Sequence, residues 1–510
     1  MHAGVLTTPG DRTTSFLDPE ANMTPDDFDV NDSDPAARVR ALMQRGIAEA
    51  NAGERIAAVA SLKEAEQVAA DAGLTSAAIG AHINRGWVLW FAGEAEGAIT
   101  LYSEGAQMAR EVGDAERLLL ALNNLGIAYG RLGRHAESLA TYEEYLPFVS
   151  DDPAAGAEAH LNCGTALASL GRPDEAALHF ERAERLATDA GLVESLVMVN
   201  LNRGVLSESA GDLEAAFEHY WKAFDLADET KDADLIGTVT MALGAAYARA
   251  GDDPHASDCF EQSELAFRAS GDRRRLADAL HGHAIALQRV GLDDAALEAL
   301  QEEEPLRAEQ GDSLALGACI LSQALLLAGR PKSPSTDTRF AEAAAAYVHA
   351  GALSTVAEVH HARAEWLRKQ GMDDEALAAA REALSTAIKA PNLPTEIRVR
   401  GLLAVMLADA GDLEAAETEL VAAQASAEES GDREGVTGAQ ARKAYVLARG
   451  EKPAEDVVAQ LDAAWEHGLT LTQPQTAREA LTLVVQEIKD RCDSRYSTPI
   501  ALWQADFLVT

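Results

Sequence analysis

The sequence predicts an all-α protein built from about eleven helix-turn-helix repeats. Three observations carry that expectation. Turn glycines recur at a nearly constant spacing, small residues recur inside the helices at fixed positions, and the composition favours helix. Hydrophobic residues make up 47% of the 510-residue chain but aromatics only 5%, so Ala and Leu dominate. Together with Glu and Arg these are strong helix formers, and long alternating β-branched runs are absent.

The turn glycines are Gly53, Gly93, Gly133, Gly171, Gly211, Gly251, Gly291, Gly329, Gly371, Gly411 and Gly450. They stand 38 to 42 residues apart. Glycine suits such a place because the residue that closes a helix often needs a left-handed backbone. A second break falls midway through many repeats, as in "DAGL" at 71, "EVGD" at 111 and "SGD" at 430. Each repeat therefore reads as helix A, turn, helix B, turn, with helices of roughly 16 residues. Neither helix can bury its apolar stripe alone, so neighbouring repeats must stack.

Helix A carries a small residue at Gly46, Gly86, Gly126, Gly164, Gly204, Gly244, Ala284, Ser322, Ala364 and Ala404. Glycine inside a helix costs about 1 kcal/mol against alanine, so a packing reason is expected. Helix B carries its own small residue, from Ala58 to Ala416, followed four positions later by a bulky one such as Leu62, Tyr102, Tyr142, Phe180, Tyr220 or Phe260. Small against small, with a large side chain one turn away, is a ridge-and-groove fit.

Residues 1–34 read as an acidic, disordered tail. Residues 35–329 hold repeats 1–7 and the first helix of repeat 8. Residues 330–341, with "RPKSPSTDTRF", form an inserted loop or hinge, because Pro331 and Pro334 forbid a continuous helix. Residues 342–490 complete the repeats and their cap. Residues 491–510 end in Ile500, Leu502, Trp503, Phe507 and Leu508, an apolar set for packing on the last helices or for self-association.

The charge is 43 − 83 = −40. Such a field repels phosphate backbones and anionic lipid, which argues against nucleic acid and membrane partners and leaves a basic peptide or protein compatible. Cys163, Cys259, Cys319 and Cys492 lie far apart, which suggests reduced thiols and a cytoplasmic location. The N-terminus shows no signal-peptide pattern, and no apolar run is long enough to span a bilayer.

No P-loop, GxSxG, HExxH or paired-cysteine motif occurs. The histidines of "HGH" at 281–283 lie on different sides of a helix, "HH" at 360–361 is no better placed, and "QEEEP" at 301 reads as a solvated helix end. The expectation is a protein with no enzymatic activity, cofactor or metal.

One polar signal remains. Asn84, Asn124, Asn162 and Asn202 occupy the same helix-A position in four successive repeats. Asn is a poor helix former. The position lies two residues before the small packing site, so it points away from helix B and toward the inner wall of a stacked array. Trp87, Trp90, Phe91, Asn123, Ile127, Arg131 and Arg249 are expected to line the same groove. Two readings stay open. The amides wait for a ligand, partly exposed, or they hold adjacent repeats together. Arg85 and Arg203 are expected to pack between repeats with their heads on carbonyls or carboxylates.

These residues also carry a resemblance. The pattern, clearest in "LGIAYGRLGRHAESLATYEE", resembles the tetratricopeptide-repeat (TPR) family over about residues 36–470. The period is longer than the usual value of about 34. It is similar to the long-helix subclass of kinesin light chains, spindle-orientation scaffolds and bacterial peptide receptors. The resemblance implies a right-handed α-solenoid and a peptide-binding scaffold or adaptor. It also implies that the Asn column bonds the main chain of an extended peptide in repeats 2–5. The alternative is a regulatory sensor whose superhelix is switched by a peptide or by its own tail.

Overall fold

The computed structural model describes residues 30, 32–330, 335–390 and 392–507. Among the described residues there is no strand and there are twenty-four α-helices. Their contacts divide the chain into two units, one ending at Asp272 and one starting at Arg273. The expected tail lies largely outside the described residues, as do residues 331–334 of the expected insertion, which falls within the second unit.

The first unit holds six antiparallel pairs. These are α1 (Pro35–Asn51) with α2 (Arg55–Asp71), α3 (Thr75–Phe91) with α4 (Ala95–Val112), and α5 (Ala115–Arg131) with α6 (His135–Tyr145). There follow α7 (Pro153–Ser169) with α8 (Pro173–Ala190), α9 (Val193–Ser209) with α10 (Leu213–Thr230), and α11 (Ala233–Ala250) with α12 (Asp253–Ser270).

A two-residue device makes several of the turns. Gly113 ends α4 at φ 73°, and the Asp114 carboxylate accepts the Arg117 N–H at 3.1 Å to start α5. The same Gly-Asp pair operates at Gly211–Asp212 and Gly251–Asp252. An aspartate at the N-cap satisfies an orphan amide and meets the positive end of the helix dipole. Part of the acidic composition therefore does structural work. Where glycine is missing, Lys231 itself takes the left-handed conformation, at φ 56°.

The helix-A glycines meet the bulky residue of helix B directly. A Cβ added to Gly126 would stand 2.6 Å from Tyr142, one on Gly86 2.7 Å from Tyr102, and one on Gly46 2.7 Å from Leu62. This refines the expected small-against-small contact. The glycine makes room for the large side chain, while the small helix-B residue brings its backbone close, with the Ala58 carbonyl 3.2 Å from the same Cβ position.

Odd-numbered helices of this unit also touch one another, α1 with α3, α3 with α5, α7 with α9 and α9 with α11. Contacts between successive even-numbered helices are weaker. The odd helices therefore form the inner layer.

The second unit continues with α13 (Arg273–Arg289), α14 (Asp293–Gln310), α15 (Ser313–Ala328), α16 (Thr336–His349), α17 (Leu353–Lys369) and α18 (Asp373–Lys389). It ends with α19 (Leu393–Asp409), α20 (Leu413–Ser430), α21 (Arg433–Arg449), α22 (Ala454–Gly468), α23 (Pro474–Arg491) and α24 (Ser497–Phe507). Two turn glycines depart from expectation. Gly329 and Gly450 have φ of −72° and −79°, and Glu451 takes the left-handed place after α21.

Part of the apolar C-terminal segment packs on its own unit, while Leu502 is exposed and the side chains of Phe507 and Leu508 lie outside the described residues. Ile500 is fully buried, and Trp503 donates to Asp462 at 2.7 Å. Within this unit α19, α21 and α23 form an inner layer. Arg368, Arg449 and Arg491 converge there on Asp409, and Arg368 also reaches Glu487 at 2.7 Å.

Candidate peptide-binding face

The Asn column lies on the inner helices α3, α5, α7 and α9. Its members are not equivalent. Asn84 and Asn124 are half-buried, and among the described residues their side chains make no hydrogen bond. Asn162 is 3% exposed, and neither its amide nitrogen nor its oxygen has a partner. It lies beside the Tyr142 hydroxyl, but the two make no hydrogen bond of good geometry. Asn202 is 1% exposed and donates to Thr165 Oγ1 at 3.3 Å.

The expected partial exposure of Asn162 is therefore corrected. The side chain is buried and lies beside Tyr142 of the preceding repeat. Asn202 is also buried but finds an acceptor. The partner Thr165 was not foreseen, although it stands three residues after Asn162 and so shares its face of α7.

An aromatic group sits at the end of α3. Trp87 and Phe91 have ring centroids 4.7 Å apart, and Phe91 is 65% exposed. The Trp87 Nε1 is buried without a partner. Trp90 packs on the α3–α5 core, and Ile127 on the core around Tyr142 and Leu161. Asn123 is half-buried and Arg131 is exposed at the end of α5. Arg249 is engaged within the array. It donates to Glu208 at 2.6 Å, and Glu208 also accepts from Tyr220 at 3.0 Å.

The arginines beside the column behave as expected. Arg85 reaches back to Glu66 on α2 at 2.5 Å, and Arg203 pairs with Glu184 on α8. His82 sits between Glu66 and Glu104 at 3.0 and 3.1 Å. Burial pushes the Glu66 carboxyl up, but the bonds from His82 and Arg85 outweigh it and leave the group lowered.

The face also carries carboxylates that the sequence reading did not single out. Glu158 stands one turn before Asn162 on α7. Burial, and then the Glu194 carboxylate on α9, push it above the ordinary range. No cation neutralises Glu158 or Glu194 among the described residues.

Residues 76–151, which span α3 to α6, match the tetratricopeptide-repeat family model. Over those residues the chain is similar to the tetratricopeptide-repeat (TPR) family, and the helix array is TPR-like. The TPR match covers two helix pairs, and the same packing of a helix-A glycine on a bulky helix-B side chain recurs in the pairs on either side of it, Gly46 on Leu62 and Gly164 on Phe180.

No curated protein sequence matches the chain. Among solved structures, BtubC (BKLC) from P. vanneervenii is similar with 19% identity and a TM-score of 0.37, covering 42% of this chain and 92% of that one. The apo form of the quorum sensor NprR from B. thuringiensis shows 12% identity and a TM-score of 0.45, covering 68% and 98%. A tetratricopeptide repeat protein from Parabacteroides merdae shows 14% identity and 0.40, covering 55% and 98%.

The histidine motifs of the second unit are engaged locally. His281 meets Glu303 at 3.1 Å, while His360 and His361 lie near Glu382 and Glu365. The thiols of Cys163, Cys259, Cys319 and Cys492 are free, and burial pushes them up, to about 12 for Cys163 and about 11 for Cys259 and Cys492. No helix among the described residues is long and apolar enough to cross a membrane.

Proposed function

We propose that this TPR-like array is a non-enzymatic, cytoplasmic scaffold that holds an extended peptide segment of a partner protein along α3, α5 and α7. One observation carries the reading. Asn84 and Asn124 stand in one column on the inner layer, both half-buried, and neither amide is used by the fold among the described residues. An amide offers two donors and an acceptor, which match the alternating groups of a peptide main chain. Phe91, with Trp87 and Trp90 behind it, supplies an apolar anchor of the kind that dominates interface energetics. Ile127, Asn123 and Arg131 extend the contact along α5. Asn202 and Arg249 close the face, since both are engaged within the array.

Charge favours a basic segment. The chain carries −40, and the Glu194 carboxylate acts on Glu158 with no cation paired to either among the described residues. A lysine or arginine between them relieves that repulsion.

The test is a peptide-display selection on the purified protein, followed by affinity measurements on an Asn84→Ala, Asn124→Ala variant. Selected peptides should be enriched in Lys or Arg and should bind the double variant more weakly while its melt is unchanged. Peptides that bind both proteins equally well would contradict the reading.

A further inference from the structure

His160 on α7 and His179 on α8 belong to the fourth helix pair and are not members of the Asn column. They stand 19 residues apart in the chain, so no chelation motif marks them in the sequence. Both rings are half-buried. Their Nδ1 atoms lie 3.1 Å apart and their ring centroids 5.0 Å apart, so the two nitrogens point into the space between the rings. Zinc bonds an imidazole nitrogen at about 2.0–2.1 Å. An ion equidistant from two nitrogens 3.1 Å apart then subtends an N–Zn–N angle of about 100°, close to tetrahedral.

The next repeat shows that the fold does not need this pair. There Asn200 takes the place of His160, donates to the Leu196 carbonyl at 2.8 Å, and faces His219 at 3.4 Å. In the fourth pair no third group bonds either facing nitrogen among the described residues.

A metal needs both rings neutral. Burial, then His179, Arg182 and Arg185, hold His160 down at about 4. Burial and Arg182 lower His179 against the opposing carboxylates of Glu143 and Glu175. One neutral ring now donates its Nδ1 proton to the other. With a metal between them, that ring carries its proton on Nε2 instead, and neither ring changes charge.

The surroundings hold two charges of each sign. Arg182 and Arg185 oppose a cation, and Glu143 and Glu175 offset them. Glu175 is held by Arg172 at 2.7 and 2.6 Å, whereas Glu143 on α6 has no hydrogen-bond or ion-pair partner among the described residues. No group of three or more His, Cys, Asp or Glu side chains closes a metal site among the described residues, so the remaining coordination positions stay open to water.

We propose that His160 and His179 form a divalent transition-metal site, matched to Zn2+, that clips α7 to α8 and keeps open positions on the metal. Imidazole nitrogens suit zinc and its neighbours, whereas Mg2+ prefers oxygen ligands. The site is independent of the peptide reading.

The experiment is isothermal titration calorimetry of the untagged, chelator-stripped full chain with ZnCl2 near neutral pH, with MgCl2 as the oxygen-seeking probe. Wild type is expected to bind zinc saturably. His160→Asn and His179→Asn should each weaken the tightest zinc site at least tenfold, and His219→Asn should leave it unchanged. Zinc should also raise the melting temperature of wild type but not of His160→Asn, because a ligand held only by the folded pair stabilises it. Melts without metal establish that each variant is folded, and His160→Asn installs the residue that the next repeat already carries. Should a variant unfold, the visible absorption of Co2+ added to wild type reports nitrogen ligation directly. Absence of a saturable zinc site, equal zinc affinity in the folded histidine variants, an equal loss in His219→Asn, tighter binding of Mg2+, or a Co2+ spectrum like that of the free ion would each overturn the proposal.

Discussion

Asn202 on α9 donates its amide to Thr165 Oγ1 on α7, 3.3 Å away, and so ties two successive inner helices together. Asn124, two repeats earlier in the same column, has no such partner among the described residues. Asn202→Ala should lower stability, because breaking a buried hydrogen bond costs about 1–3 kcal/mol. Asn124→Ala should leave the melt unchanged or raise it, since Ala is the better helix former by up to about 0.7 kcal/mol. Equal shifts in thermal melts of the two variants would contradict this division of roles.

Two glycines on α5 make opposite predictions. A Cβ at Gly126 would sit 2.6 Å from the fully buried Tyr142 ring, whereas one at Gly130 meets nothing closer than Ser138 Oγ at 3.4 Å. Gly126→Ala should cost about 1–3 kcal/mol through overpacking. Gly130→Ala should stabilise by up to about 1 kcal/mol through helix propensity. Chemical denaturation of both variants checks the pair.

His160 on α7 and His179 on α8 bring their Nδ1 atoms to 3.1 Å. Burial, then His179, Arg182 and Arg185, push His160 down to about 4 from an ordinary 6.5, and burial with Arg182 also lowers His179. Between those pH values the unfolded chain binds the proton more readily than the folded one. Stability therefore falls as pH drops from 6.5 toward 4. His160→Asn copies the next repeat, where Asn200 faces His219. Its melt should lose less on acidification from pH 7 to 5 than the wild-type melt does. An unaltered slope would contradict the assignment.

In the second unit Asp409 is the anion on which Arg368, Arg449 and Arg491 converge, and it also accepts from the Tyr445 hydroxyl. Asp409→Ala leaves those cations facing one another. Removing one partner of a buried ionic group typically costs about 3–5 kcal/mol. The loss should show in calorimetry as a lowered transition, and a wild-type transition would exclude the network as a source of stability.

Much of this fold was legible in the sequence because it rests on single residues with strong local rules. Gly113 and Asp114 announce a turn whatever surrounds them, and Gly126 with Tyr142 repeats often enough to be read as packing. Where a local rule has substitutes, the reading slipped. Lys231 and Glu451 adopt a left-handed backbone without being glycine, and Gly450 does not adopt it.

The site was legible in position but not in state. The register of Asn84, Asn124, Asn162 and Asn202 is periodic. Whether an amide finds an acceptor, as Asn202 does in Thr165, depends on a side chain 37 residues away in an adjacent helix. Glu158 with Glu194 is likewise a product of repeat stacking that no short window shows.

The most direct test of the central claim is the affinity of a display-selected peptide for wild-type protein and for the Asn84→Ala, Asn124→Ala variant, each paired with its melt. Two main-chain hydrogen bonds of about 1 kcal/mol each predict a loss of roughly thirtyfold in Kd with no fall in melting temperature. An unchanged Kd in a variant that melts earlier would contradict the account and make the asparagines part of the stacking.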